Sequence, residues 1–151
     1  MINAVPDGSG MIHGDYHSNN VMVQSDGELV LIDMADISRG NALYDIGGTF
    51  LTMYLSGMNN PAVTKETIGI DYELAKQVWG IMLSAYYGTT DKQKLELFSQ
   101  RCGAFALMRM ATTLGMNSKR AEASAPGITA LLRQRLFPNT DNFCKLFAMP
   151  V

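Results

Sequence analysis

The sequence predicts an α+β protein, mostly helical, with one small β-hairpin followed by about four helices. Two observations carry that prediction. Two short apolar runs flank an Asp-Gly turn near the start, which is a strong hairpin signal. Beyond Gly40 the apolar residues recur at steps of three and four, the period of an amphipathic helix. Taken in order, Ala4-Val5-Pro6-Asp7-Gly8-Ser9-Gly10 is rich in turn formers and is expected to be irregular. Val21-Met22-Val23-Gln24 and Glu28-Leu29-Val30-Leu31-Ile32 flank Ser25-Asp26-Gly27 and form the hairpin. A loop follows Asp33 and ends near Gly40. Leu43, Ile46, Phe50, Met53 and Tyr54 mark the first helix, which stops near Gly57.

After a loop at Asn59-Asn60-Pro61 the rest reads as helical. Asp71 is placed to cap a helix reaching about Tyr87, with Leu74, Val78, Met82 and Ala85 inward. Thr90 or Asp91 caps a longer one to about Leu114, with Leu95, Phe98, Cys102 and Phe105 on one face. Pro126 suits the first turn of a last helix bearing Ile128, Leu131, Leu132 and Leu136.

Composition narrows the function classes. With 151 residues, 47% hydrophobic and 17% charged, the chain fits one domain, or a large piece of one, that can bury a core. No apolar run approaches the roughly 18 residues of a membrane span. The start has no basic stretch leading into an apolar one, so a cytoplasmic protein is expected. Cys102 and Cys144 are too few for a disulfide framework or a zinc site. Residues 1–60 hold seven acids and one base, Arg39, whereas the remainder holds seven acids and eleven bases. That acidic opening argues against nucleic acid and suits a divalent cation held by oxygen ligands.

The informative stretch is His13-Gly14-Asp15-Tyr16-His17-Ser18-Asn19-Asn20, followed by Ile32-Asp33, Gly40 and Asp45. Phosphoryl transfer needs a carboxylate beside the attacking hydroxyl and oxygen ligands for Mg²⁺ on the phosphates. Asp15 lies on a loop before the hairpin, Asn20 begins its first strand and Asp33 ends its second. A tight hairpin returns the chain on itself, so Asn20 and Asp33 are expected to face one cation, with Asp15 across from Asp33.

These residues resemble the aminoglycoside phosphotransferase and choline kinase superfamily, a relative of the protein kinases. Its catalytic loop reads H-G-D-x-x-x-x-N, often with a second His where His17 stands. Its metal segment reads I-D-x-x-x-x-x-x-G-x-x-x-x-D, matched by Ile32, Asp33, Gly40 and Asp45. If each fixed residue arises by chance roughly once in twenty, eight at fixed spacing are not an accident. The resemblance implies a protein-kinase-like C-terminal lobe over residues 1–151 and an ATP- and Mg²⁺-dependent transfer to a small-molecule hydroxyl. Asp15 would be the catalytic base, and Asn20 and Asp33 the Mg²⁺ ligands that also hold the nucleotide. His13, His17, Gly40 and Asp45 would be supports, with His17 open between a phosphate contact and a backbone one.

Other readings are weaker. His13 and His17 as a zinc pair would need a helix that Gly14 disfavours. Gly8, Gly10 and Gly14 are one residue too long for a G-x-G-x-x-G loop and read as a flexible lead-in. A kinase-type site also needs a Gly-rich loop and a strand lysine, yet the first lysine is Lys65. The N-terminal nucleotide lobe is therefore expected to be absent, and the chain to be a truncated part incompetent by itself. The apolar faces so uncovered predict a homodimer. The competing reading is a non-catalytic remnant acting as a self-associating module.

Overall fold

The computed structural model describes residues 2–58, 60–116 and 130–149. Strand β1 (Gly10–Ile12) leads into the His13–Asn20 loop, and β2 (Val21–Val23) and β3 (Leu29–Leu31) form the hairpin. Strand β4 (Ser38–Gly40) precedes α1 (Leu43–Phe50). Helices α2 (Pro61–Ile68), α3 (Tyr72–Tyr87) and α4 (Lys92–Met116) follow, and α5 (Thr140–Ala148) closes the described chain. The protein is a mostly helical α+β fold.

The hairpin pairs antiparallel with Val21 opposite Leu31 and Val23 opposite Leu29. Gly27, at φ 89°, makes the turn that Asp26-Gly27 foretold. One expectation fails at the start of the chain. Gly10–Ile12 is not a flexible lead-in but an edge strand paired with Ser38–Gly40, Met11 lying opposite Arg39. A side chain at Gly40 would come within 2.7 Å of Ile12 Cδ1, so a bare backbone there lets the two strands meet. No local pattern announces this pair, because the chain between them has to return first.

Helix α1 runs on into a π-helical turn, Leu51–Leu55, where the Ser56 amide reaches the Leu51 carbonyl at 3.0 Å. Thr52 and Ser56 hydroxyls bond back to the carbonyls of Thr49 (3.1 Å) and Thr52 (2.7 Å), a local competition that loosens the regular ladder. Helix α2 starts on an Asn60 side-chain cap with Pro61 in its first turn, and ends on Gly69 in the left-handed conformation. The Asp71 side chain does not cap α3; it pairs with Lys65 Nζ at 3.0 Å instead. Asp91, not Thr90, caps α4 through the amides of Gln93 and Lys94.

The core lies between α1, α3, α4 and the segment from Leu132 onward. On α4, Phe98, Cys102 and Phe105 are buried and Leu95 is half-buried, as the period required. On α3 the buried face is Ala75, Trp79 and Leu83, one position on from the expected Leu74, Val78, Met82 and Ala85. Leu74 and Ala85 are exposed, and Val78 and Met82 are only half-buried. Trp79 decides the rotation. It packs edge-to-face on Phe50 at 5.0 Å, and its Nε1–H donates to Ser99 Oγ at 3.3 Å. Leu132 and Leu136 are buried and Leu131 is half-buried, whereas Pro126 and Ile128 lie outside the described residues.

Two adjacent glycines bring α4 against α1. A Cβ on Gly47 would meet Phe105 at 2.8 Å, and one on Gly48 would meet Arg109 Nη1 at the same distance. Phe105 and Arg109 are one helical turn apart, so successive turns of α4 cross successive residues of α1.

Candidate active site

The His13–Asn20 loop leaves β1 and enters β2, and five backbone groups at its head are bound by side chains. Asp45, in the first turn of α1, accepts the amides of His13 (Oδ2, 2.8 Å) and Gly14 (Oδ1, 2.9 Å). The three following carbonyls each take a different donor. Arg109 Nη2 donates to Gly14 O at 3.0 Å, Asn20 Nδ2 to Asp15 O at 2.9 Å, and Thr49 Oγ1 to Tyr16 O at 3.1 Å. A loop whose polar groups are satisfied one by one in this manner has few alternative conformations.

Gly14 sits at φ 86°, where an L side chain is strained, and its missing Cβ would lie 2.6 Å from the Asp36 carbonyl. The loop is thereby seated on the turn that follows Asp33. His13 is buried, and its Nε2 lies 2.8 Å from the Ile32 carbonyl. A carbonyl can only accept, so Nε2 carries a proton, and Nδ1 is buried with no partner among the described residues. That bond ties the loop to the residue before Asp33. The backbone repeats the tie, the Ile32 amide donating to Asn20 O at 3.0 Å.

Asp33 adopts φ 59°, ψ 55°, the one non-glycine at positive φ among the described residues. A strained non-glycine costs about 1–3 kcal/mol and persists where the surroundings fix it, commonly at functional sites. Its side chain is exposed. Asn20 is buried, and because its Nδ2 is committed to Asp15 O, its Oδ1 is left as a hard oxygen donor.

Among the described residues, no three His, Cys, Asp or Glu side chains gather into a metal site. Mg²⁺ asks for less, since it binds through one or two protein oxygens and completes its shell with water and phosphate. One exposed carboxylate and one amide oxygen, at adjacent strand ends, fit that donor set.

Asp15 is half-exposed, and its two oxygens face different neighbours. Oδ1 takes Arg109 Nη2 at 3.1 Å, while Oδ2 is 3.6 Å from His17 Nε2. His13, Asp15, His17, Asn20 and Asp45 are therefore drawn together at one loop, and Asp33 follows Ile32, which is tied to it. Gly40 is the exception, belonging to the β1–β4 pairing and not to the loop. Thr49 and Arg109 were missed. Thr49 stands one helical turn after Asp45, so a search for polar residues in phase with Asp45 would have found it. Nothing in the sequence marks Arg109, which lies 94 residues from Asp15.

The model of the phosphotransferase enzyme family (APH) matches residues 2–82, and the chain belongs to that family. No curated protein and no solved structure matches the chain. Helix α4, with Arg109, lies beyond the matched residues.

Proposed function

We propose that this chain supplies the catalytic-loop and metal-binding lobe for transfer of the ATP γ-phosphoryl group to the hydroxyl of a small molecule. The observation that supports this most is the bracing of the His13–Asn20 loop. Five side-chain contacts fix the backbone around Asp15, and the same network reaches the residue before Asp33. Such fixing matters for this chemistry, because phosphoryl transfer is catalysed mainly by positioning and charge stabilisation.

Asp15 accepts the proton of the substrate hydroxyl as its oxygen bonds to the γ-phosphorus and the bond to ADP breaks. Asn20 and Asp33 would hold Mg²⁺, and through it the nucleotide. The ion would supply neutralisation of the charge that develops on the phosphates. His13, Asp45 and Gly40 support the loop and its neighbouring strands. His17 lies close enough to Asp15 Oδ2 to steer that oxygen.

The test is a transfer assay with Mg²⁺-ATP and a panel of neutral and anionic alcohols, supplied with a nucleotide lobe in trans if the chain alone is silent. Asp15→Ala is expected to remove turnover while leaving the circular-dichroism spectrum and melting temperature near those of the parent. Undiminished turnover in that variant would sink the assignment of the base.

A second reading has its own observation. Met22 and Val30 stay exposed on one side of the hairpin, and Val23, Leu29 and Leu31 on the other, where they make an apolar face of the kind that marks an interaction surface. That face supports self-association, whether or not the chain also catalyses transfer.

A further inference from the structure

We infer that Arg109 is a positioning residue for Asp15, an inference that rests on the phosphotransferase reading and carries it onto a helix outside the matched family segment. Arg109 reaches the loop from α4 and meets three acceptors among the described residues. Nη1 donates to Tyr44 O at 3.2 Å, and Nη2 donates to Gly14 O at 3.0 Å and Asp15 Oδ1 at 3.1 Å. Two of those acceptors are backbone carbonyls, one on α1 and one in the loop itself. They fix the guanidinium plane, so its contact with Asp15 is directional and not a mobile ion pair.

The half-exposed pair would contribute little as a surface salt bridge. Orientation is the effect that matters. With Oδ1 held by Arg109, the carboxylate cannot rotate freely, and Oδ2 is the oxygen turned towards His17 and available to take a proton. Arg109 touches no reacting atom in this scheme; it acts through the Asp15 carboxylate and the Gly14 carbonyl that it holds.

Gly48 supplies independent support. Glycine is a poor choice for a helix interior, yet a methyl group there would stand 2.8 Å from Arg109 Nη1. The bare backbone at position 48 is the space through which the guanidinium passes. Gly48→Ala should therefore displace the guanidinium without deleting the cation, since the far end of a flexible side chain yields first.

The experiment compares the wild-type chain with Arg109→Gln, Arg109→Lys and Gly48→Ala. Three-bond couplings report the χ1 rotamer of Asp15, amide shifts report His13 and Gly14, and the transfer assay separates kcat from KM. The wild type is expected to hold one Asp15 rotamer. All three variants are expected to average it while the Asp45-bound amides of His13 and Gly14 keep their shifts. In the assay kcat falls about 100-fold in Arg109→Gln, with KM for ATP within about twofold, the pattern of a misplaced group and not of lost binding.

A single Asp15 rotamer retained in Arg109→Gln and Gly48→Ala would overturn the inference. So would full recovery in Arg109→Lys, which would show that charge suffices without the planar fork. Collapse of the His13 and Gly14 shifts with the melting temperature would overturn it too, by making Arg109 a structural staple. The rotamer measurement needs no turnover, so it stands apart from the Asp15→Ala test of the reaction itself.

Discussion

At Asp45 one carboxylate accepts two backbone amides, from His13 at 2.8 Å and Gly14 at 2.9 Å. Hydrogen bonds to an ionised group contribute about 1.5–3 kcal/mol each, and a buried donor left facing another donor costs a similar amount. Asp45→Asn turns an amide NH₂ towards one of the two N–H groups. It is expected to lower stability by about 2–3 kcal/mol in urea unfolding; a change under about 0.5 kcal/mol would show that the loop does not depend on this carboxylate. The spacing of His13, Gly14, Asp15, Asn20, Asp33 and Asp45 was legible because each sits in a local motif. The donors to Gly14 O and Tyr16 O were not, because Thr49 and Arg109 join the loop only after the helices have packed.

Helix α4 is the element on which the core turns. Phe105, 1% exposed, lies over Gly47 and against Tyr44 at 4.7 Å. Phe105→Ala is expected to cost about 3–5 kcal/mol, the range for a buried aromatic whose cavity cannot fully collapse. One turn earlier, burial pushes the Cys102 thiol up to about 12 from 9.0, and burial also raises the Tyr87 phenol. Both groups are neutral when protonated, so between pH 9 and 12 the folded chain retains a proton at Cys102 that the unfolded chain has lost. Stability is then complete below pH 9 and falls as pH rises, by an amount of order 4 kcal/mol from Cys102. Chemical unfolding at pH 8 and pH 11 samples about two-thirds of that drop, and Cys102→Ala should remove about 2–3 kcal/mol of it while the part due to Tyr87 remains. On α3 the apolar period was visible, but the buried stripe lay one residue away from the expected one. Trp79 is wide enough to set the rotation through Phe50, a partner no local pattern identifies.

At the scale of the molecule, one set of apolar side chains among the described residues forms the helical core while others stay exposed, among them Val23 and Leu29, which face each other across the hairpin strands and are both 68% exposed. A charge on that face should cost little in folding and much in association. We propose a homodimer through it. Sedimentation equilibrium is expected to show dimers that Val23→Lys or Leu29→Glu disperses, with melting temperature nearly unchanged. A wild-type chain that stays monomeric at several hundred micromolar would rule the proposal out. Among the described residues no helix is long and apolar enough to cross a membrane.

Sequence by itself determined the hairpin, the apolar faces of α1 and α4, and the spaced residues from His13 to Asp45. Each is encoded over one or two turns of chain, by a turn dipeptide, a helical period or a fixed motif. Tertiary structure decided the β1–β4 pair, the rotation of α3, and the way the loop around Asp15 is bound. Those depend on groups far apart in sequence, and Arg109 shows the reason most plainly. Its meeting with Asp15 exists only because Gly47 and Gly48 let α4 lie close against α1.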